Sequence, residues 1–107
     1  LLFYSPRLYC GLGFNARGLV MHRVGQQRNG AAPGDFGRRM EIRVVNDRHI
    51  VTLSTRTPGQ AWTRYGVRME VSGYNHNTAW DFLSLRPAIY CAGRGEARIR
   101  NVTYRSL

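Results

Sequence analysis

Residues 39–55 read RMEIRVVNDRHIVTLST, and the fold class turns on how their apolar side chains are spaced. Met40, Ile42 and Val44 alternate with Glu41, Arg43 and Val45, the two-residue period of a strand with one face buried. Asn46-Asp47 supplies turn residues. Residues 49–55, HIVTLST, then resume with dense β-branched side chains, so the whole segment predicts a hairpin.

Working outward toward the N-terminus, residues 1–4, 8–14 and 19–24 are short apolar or alternating runs. They are separated by Ser5-Pro6 and by Asn15-Ala16-Arg17-Gly18, which are strand and turn signals. Residues 26–37, QQRNGAAPGDFG, are polar and glycine-rich with no period of either kind, and predict a long loop. Toward the C-terminus, Thr57-Pro58-Gly59-Gln60 turns the chain, and Trp62 and Tyr65 are placed to cap one end of a core. Residues 67–71, VRMEV, alternate again. In residues 82–92, FLSLRPAIYCA, Pro87 removes one ladder hydrogen bond and marks an edge, a bulge or a bend. In the last run, residues 97–104, Ala97 and Ile99 share one parity while Val102 and Tyr104 share the other. A strand there requires a bulge near Arg100-Asn101.

Roughly seven or eight short strands at this spacing, with no helical stripe of respectable length, predict an all-β antiparallel sandwich or barrel. The 107 residues form one domain with room for one core. A strand-like run at the first residue implies a sheet incomplete at its N-terminus, whose unpaired edges would favour self-association. No signal-peptide layout and no apolar run long enough to cross a bilayer is present, so no membrane partner is expected. The compartment stays undecided.

The formal charge of +10 and a pI near 11.0 raise nucleic acid as a partner. The distribution argues against it. All 16 basic residues are arginine, scattered from Arg7 to Arg105 with only Arg38 and Arg39 adjacent, which suits solvated strand faces better than a polyanion surface. A nucleic-acid binder would lose affinity steeply with salt.

Cys10 and Cys91 are too few for a thiolate zinc site and form no Cys-x-x-Cys pair. Both lie in apolar runs, as buried free thiols would; a disulfide between first and last strands is the alternative. His22, His49 and His76 have no metal-ligand spacing. Glu41 and Glu70 occupy alternating strand positions where exposure is common, and no spacing singles out the carboxylate pair that glycoside hydrolysis needs. Ser72 and Ser84 lack a glycine-framed elbow. No catalytic residue, metal ligand or cofactor is signalled. Asn101-Val102-Thr103 matches a glycosylation acceptor, but within a predicted strand it carries no weight.

One stretch asks for more than a connector. Residues 72–82 read SGYNHNTAWDF and place Tyr74, Asn75, His76, Asn77, Trp80 and Asp81 within eight positions. Aromatic faces, amides and a carboxylate are the parts that contact a sugar. The competing reading packs Tyr74 and Trp80 under the sheet and leaves the asparagines to shape a turn.

The run NDRHIVTLSTRTPGQAWTRYGVRMEVSGYNHN, followed by FLSLRPAIYCAGRGEARIRNVTYR, resembles the C-terminal β-sandwich of glycoside hydrolase family 43, the β-xylosidases and α-L-arabinofuranosidases. LLFYSPRLYCGLGF resembles an earlier strand pair of that domain. The strongest signals are the S-G-Y-x-H-N loop, the F-L-S-L-R-P run and the final G-x-G-E-x-R strand. The resemblance implies a concanavalin A-like jelly roll attached to a catalytic β-propeller, which this chain lacks, so that hydrolysis belongs to sequence outside it. It further implies xylan- or arabinan-type oligosaccharides as partners of the parent enzyme. Residues 72–81 would be the loop that closes the catalytic pocket or meets the propeller. Some concanavalin A-like relatives hold calcium, for which this sequence shows no pattern. The chain departs from relatives in carrying Cys10 and Cys91 where a small residue such as alanine is common. A free-standing carbohydrate-binding module would use the same residues alone.

Overall fold

The computed structural model describes residues 1–33, 39–80 and 83–107. Four strands open the chain as an antiparallel meander: β1 (Leu2–Ser5), β2 (Leu8–Asn15), β3 (Gly18–Arg23) and β4 (Gln26–Pro33). Short turns with local hydrogen bonds join the first three. The Ser5 hydroxyl accepts from the Arg7 N–H at 3.3 Å, and the Asn15 side-chain oxygen accepts from the Arg17 N–H at 2.8 Å. Val24-Gly25 makes the third turn with both residues at positive φ, 50° and 67°. Gly25 is also sterically required, because a Cβ there would stand 2.4 Å from the Arg7 carbonyl oxygen.

This turn explains a departure from the sequence reading. Residues 26–37 predict a loop, yet residues 26–33 are strand β4. The tight turn returns the chain along the open edge of β3, and backbone pairing needs no side-chain periodicity. The remainder of that predicted loop, residues 34–37, lies outside the described residues.

The hairpin is present as β5 (Glu41–Asp47) and β6 (Ile50–Arg56), paired from Glu41↔Arg56 to Asp47↔Ile50. Its turn is at Arg48-His49, with φ of 50° and 70°, because Asn46 and Asp47 are still in the ladder opposite Val51 and Ile50. On the other edge of β6 sit two short strands, β7 (Thr63–Arg64) and β8 (Met69–Glu70).

The two sheets share one core. Tyr4, Cys10, Leu12 and Met21 come from the meander, and Val51, Leu53, Met69 and Val71 from the hairpin sheet and its continuation. Burial of this apolar surface is the main stabilising term, at roughly 25 cal/mol per Å² removed from water. Tyr65 packs partly against the core as expected, whereas the Trp62 ring meets the Arg43 and Arg56 guanidinium groups, 4.1 and 4.4 Å from its centre. On β5, Ile42 and Val44 stand opposite buried Thr55 and Leu53, hence on the core side, but remain 40% and 37% exposed. The face predicted to be buried is half open, since β5 is the sheet edge.

After α1 (His76–Ala79) the chain returns to the first sheet as β9 (Arg86–Pro87), giving the order β4-β3-β2-β1-β9. Pro87 therefore sits on an edge strand, where its missing N–H is tolerated. Leu1 and Ala88 exchange backbone hydrogen bonds, each 2.9 Å. Residues 97–104 form no strand, and the expected bulge near Arg100-Asn101 has no ladder to interrupt, although Asn101 does take φ 55°. Asn101 breaks the extended backbone at the point where the apolar parity changes, and neither half of the run pairs with the open edges at β4, β5 or β9. Residues 91–107 are all exposed, and the total accessible surface is 8410 Å². A compact monomer of this mass would expose about 6,100 Å².

Candidate functional site

The SGYNHNTAW segment leaves β8 through a hydrogen-bonded turn. The Ser72 N–H donates to the Glu70 carboxylate at 2.7 Å, and with the Ser72 hydroxyl holds that carboxyl below its ordinary range. Tyr74 then turns inward. Its N–H donates to the Val71 carbonyl at 3.0 Å, its ring joins the core, and its hydroxyl accepts from the Val24 N–H at 3.3 Å. Burial raises the phenol's pKa.

Asn75 is the N-cap of α1. Its side-chain oxygen accepts from the Thr78 N–H at 3.2 Å while its amide donates to the Ser72 carbonyl at 2.6 Å. This is the spacing an N-cap needs to satisfy an otherwise orphaned helical donor. His76 and Asn77 lie exposed on the single helical turn, and Ala79 packs back toward the core.

Trp80 ends the turn. Its N–H donates to the His76 carbonyl at 2.8 Å, its backbone is left-handed (φ 65°, ψ 13°), and its side chain is 81% exposed. Glycine is the usual residue at such a position because a Cβ there is costly. Asp81 lies outside the described residues. The structure thus divides the proposed sugar-contact set: Tyr74 is core and Asn75 is a cap, whereas His76, Asn77 and Trp80 face outward.

A second cluster was not singled out in the sequence. On the face of the first sheet opposite the core, Phe3 pairs across from Tyr9 and Gly11 pairs across from His22. Phe3 and Tyr9 stack with centroids 5.8 Å apart, Tyr9 and His22 are tilted at 5.8 Å, and Tyr90 stands edge-on to His22 at 5.5 Å. The Tyr90 hydroxyl is hydrogen-bonded to His22 Nε2 at 2.8 Å. The Arg86 guanidinium lies over Phe3. His22 is buried to nine-tenths, its Nδ1 has no partner among the described residues, and burial pushes its pKa down so that the ring is neutral at neutral pH. The signal was present in LLFY and LYCGLGF, where large side chains occupy both parities; a strand that needed only one buried face would not require that.

Cys10 is buried, Cys91 is exposed, and both are free, so neither the disulfide nor a buried Cys91 thiol is present. Burial raises the Cys10 thiol pKa. Among the described residues no group of three or more His, Cys, Asp or Glu gathers to hold a metal ion, and no helix is long and apolar enough to cross a membrane. Comparison with known families, with curated proteins and with solved structures returned no match.

Proposed function

We propose that the chain is an accessory β-sandwich module of a family 43 glycoside hydrolase, of the concanavalin A-like jelly-roll type. It buttresses a catalytic β-propeller and presents residues 76–80 toward that domain or its xylan- or arabinan-type oligosaccharide. The observation that carries the reading is Trp80. An indole 81% exposed, on a left-handed residue at the end of a capped turn, costs the fold backbone strain while most of its ring stays in solvent. Such a side chain suits an interface, where tryptophan is enriched among the residues that dominate binding. The open core-side positions Ile42 and Val44 on edge strand β5 also favour a covering domain over a free-standing module.

In this reading the chain itself hydrolyses nothing. Glu41 is tied to Arg56, and Glu70 is held by Ser72 at the base of the loop. The test mixes the purified chain with a family 43 propeller that lacks its own sandwich and measures association by calorimetry, with aryl-xyloside and aryl-arabinofuranoside turnover. The expected outcome is association that Trp80→Ala weakens roughly 30-fold, the loss of a hot-spot contact of about 2 kcal/mol. Turnover by the chain alone, abolished by Glu41→Gln or Glu70→Gln, would contradict the proposal, as would no association at all.

A further inference from the structure

The outer face of the first sheet has features that a solvated strand face does not need. Such a face is ordinarily polar, and here it carries a row of rings from Phe3 on β1 through Tyr9 on β2 to His22 on β3. Between the rings, β2 carries only glycine: Leu1 lies over Gly11, where a Cβ would stand 2.8 Å from the Leu1 Cα, and Tyr90 lies over Gly13. Gly11 and Gly13 share this face, and a Cβ on Gly13 would stand 2.7 Å from the Tyr90 hydroxyl. The glycine floor therefore admits a ring close to the backbone, and Tyr90 is the ring that occupies it.

Tyr90 has the attributes of a replaceable occupant. It comes from a segment outside any strand, is itself 45% exposed, and is followed by residues 91–107, all exposed. Its interactions are those of a hydroxylated ring: one hydrogen bond to His22 Nε2 and an edge-on contact with the imidazole. Beside it Tyr9 offers an aromatic neighbour, and the buried Nδ1 of His22 has no partner among the described residues.

We propose that this face is a saccharide-binding site in which a neutral pyranose or furanose unit displaces Tyr90, taking the hydrogen bond to His22 Nε2 and packing over Gly13 beside Tyr9. A neutral sugar is favoured over an anion because, among the described residues, no cationic side chain is hydrogen-bonded at the Tyr90 position: Arg86 sits over Phe3, and the Leu1 ammonium on this face donates to the Ala88 carbonyl. A sugar ring matches the phenol in combining an apolar surface with a hydroxyl that can both donate and accept. The choice of sugar class rests on the function proposed above, whereas the location of the site rests on the sheet face alone.

Tyr90 competes with the ligand in this arrangement, so the apparent affinity is reduced by the fraction of molecules in which the site is open. Removing the Tyr90 hydroxyl weakens the competitor while leaving the ring. The test is a titration of the full chain, labelled with ¹⁵N, with xylotriose and with arabinotriose, following backbone amides. Shifts are expected at Gly11, Gly13 and His22. Tyr90→Phe is expected to tighten apparent binding about 2- to 10-fold, the worth of one hydrogen bond. Tyr9→Ala is expected to weaken it by a similar factor through the lost aromatic contact, with the dispersion of the same spectra reporting whether each variant is folded. Three results would overturn the site: shifts confined to residues 72–80, no shift with either sugar, or weaker binding by folded Tyr90→Phe. The first would leave the accessory-module reading standing. Shifts at Gly11 and Gly13 without any propeller association would uphold this site and sink that reading instead.

Discussion

Tyr74 and Trp80 are six positions apart in one loop, and the structure gives them opposite environments. Tyr74 is buried among Cys10, Leu53 and their neighbours, while Trp80 is 81% exposed. The part of the loop between them converts one environment into the other: Asn75 caps a single helical turn, and that turn projects the next aromatic outward. Two aromatic residues that look alike in the sequence thus do different things, one anchoring the loop and one offered by it.

That contrast can be broken from the anchored end first. Tyr74→Ala removes a ring from the core and is expected to cost about 3–5 kcal/mol, the range for large aromatic truncations. Chemical denaturation would measure it, and a loss below about 1 kcal/mol would mean the ring does not anchor the loop. Asn75→Ala should cost about 1 kcal/mol, the usual worth of an N-cap. Its effect should be confined to the loop, seen as faster amide exchange at Thr78 with the strands unaffected.

The projecting end should respond with the opposite sign. Trp80→Gly relieves a left-handed backbone, so it is expected to raise stability by up to about 1 kcal/mol, even as it removes the side chain proposed to dock. A destabilised Trp80→Gly protein would place the indole in a packing role.

The smallest effect concerns the base of the loop. Glu70 has its pKa depressed below the ordinary 4.5 by its bonds to Ser72, so its contribution is present above that pH. It should be lost as pH falls through the lowered folded value. Comparing melting against pH for the wild type and Glu70→Gln would isolate it, because the variant should lack that part of the acid-side slope.

How far the sequence revealed all this depends on which physical signal each segment carried. The hairpin of residues 39–55 was legible because alternation and β-branching agree there, and the meander because its turns carry Ser, Asn and Gly. Residues 26–33 and 97–104 show the limit from opposite sides. The first is polar and glycine-rich but pairs with β3, because the Val24-Gly25 turn delivers it to an open edge. The second has Ile99, Val102 and Tyr104 but forms no strand, since the left-handed Asn101 interrupts it where its apolar parity changes and no open edge receives either half. Strand propensity describes a segment, whereas pairing depends on an edge elsewhere in the chain. For the same reason the loop's aromatic and amide residues are visible in the sequence, but not which of them turn inward. The ring row of Phe3, Tyr9, His22 and Tyr90 is not legible in the sequence because its members are dispersed over 88 positions and only the sheet assembles them.

Whether Trp80 is held out for a partner or for the fold is decided by Trp80→Ala read in two ways on the same sample. Unfolding free energy should stay within about 0.5 kcal/mol of wild type, as for an exposed side chain with no structural role. Association with the propeller domain should weaken by roughly 30-fold. A protein that loses several kcal/mol of stability while binding the propeller unchanged would contradict the docking role and return Trp80 to the core beside Tyr74.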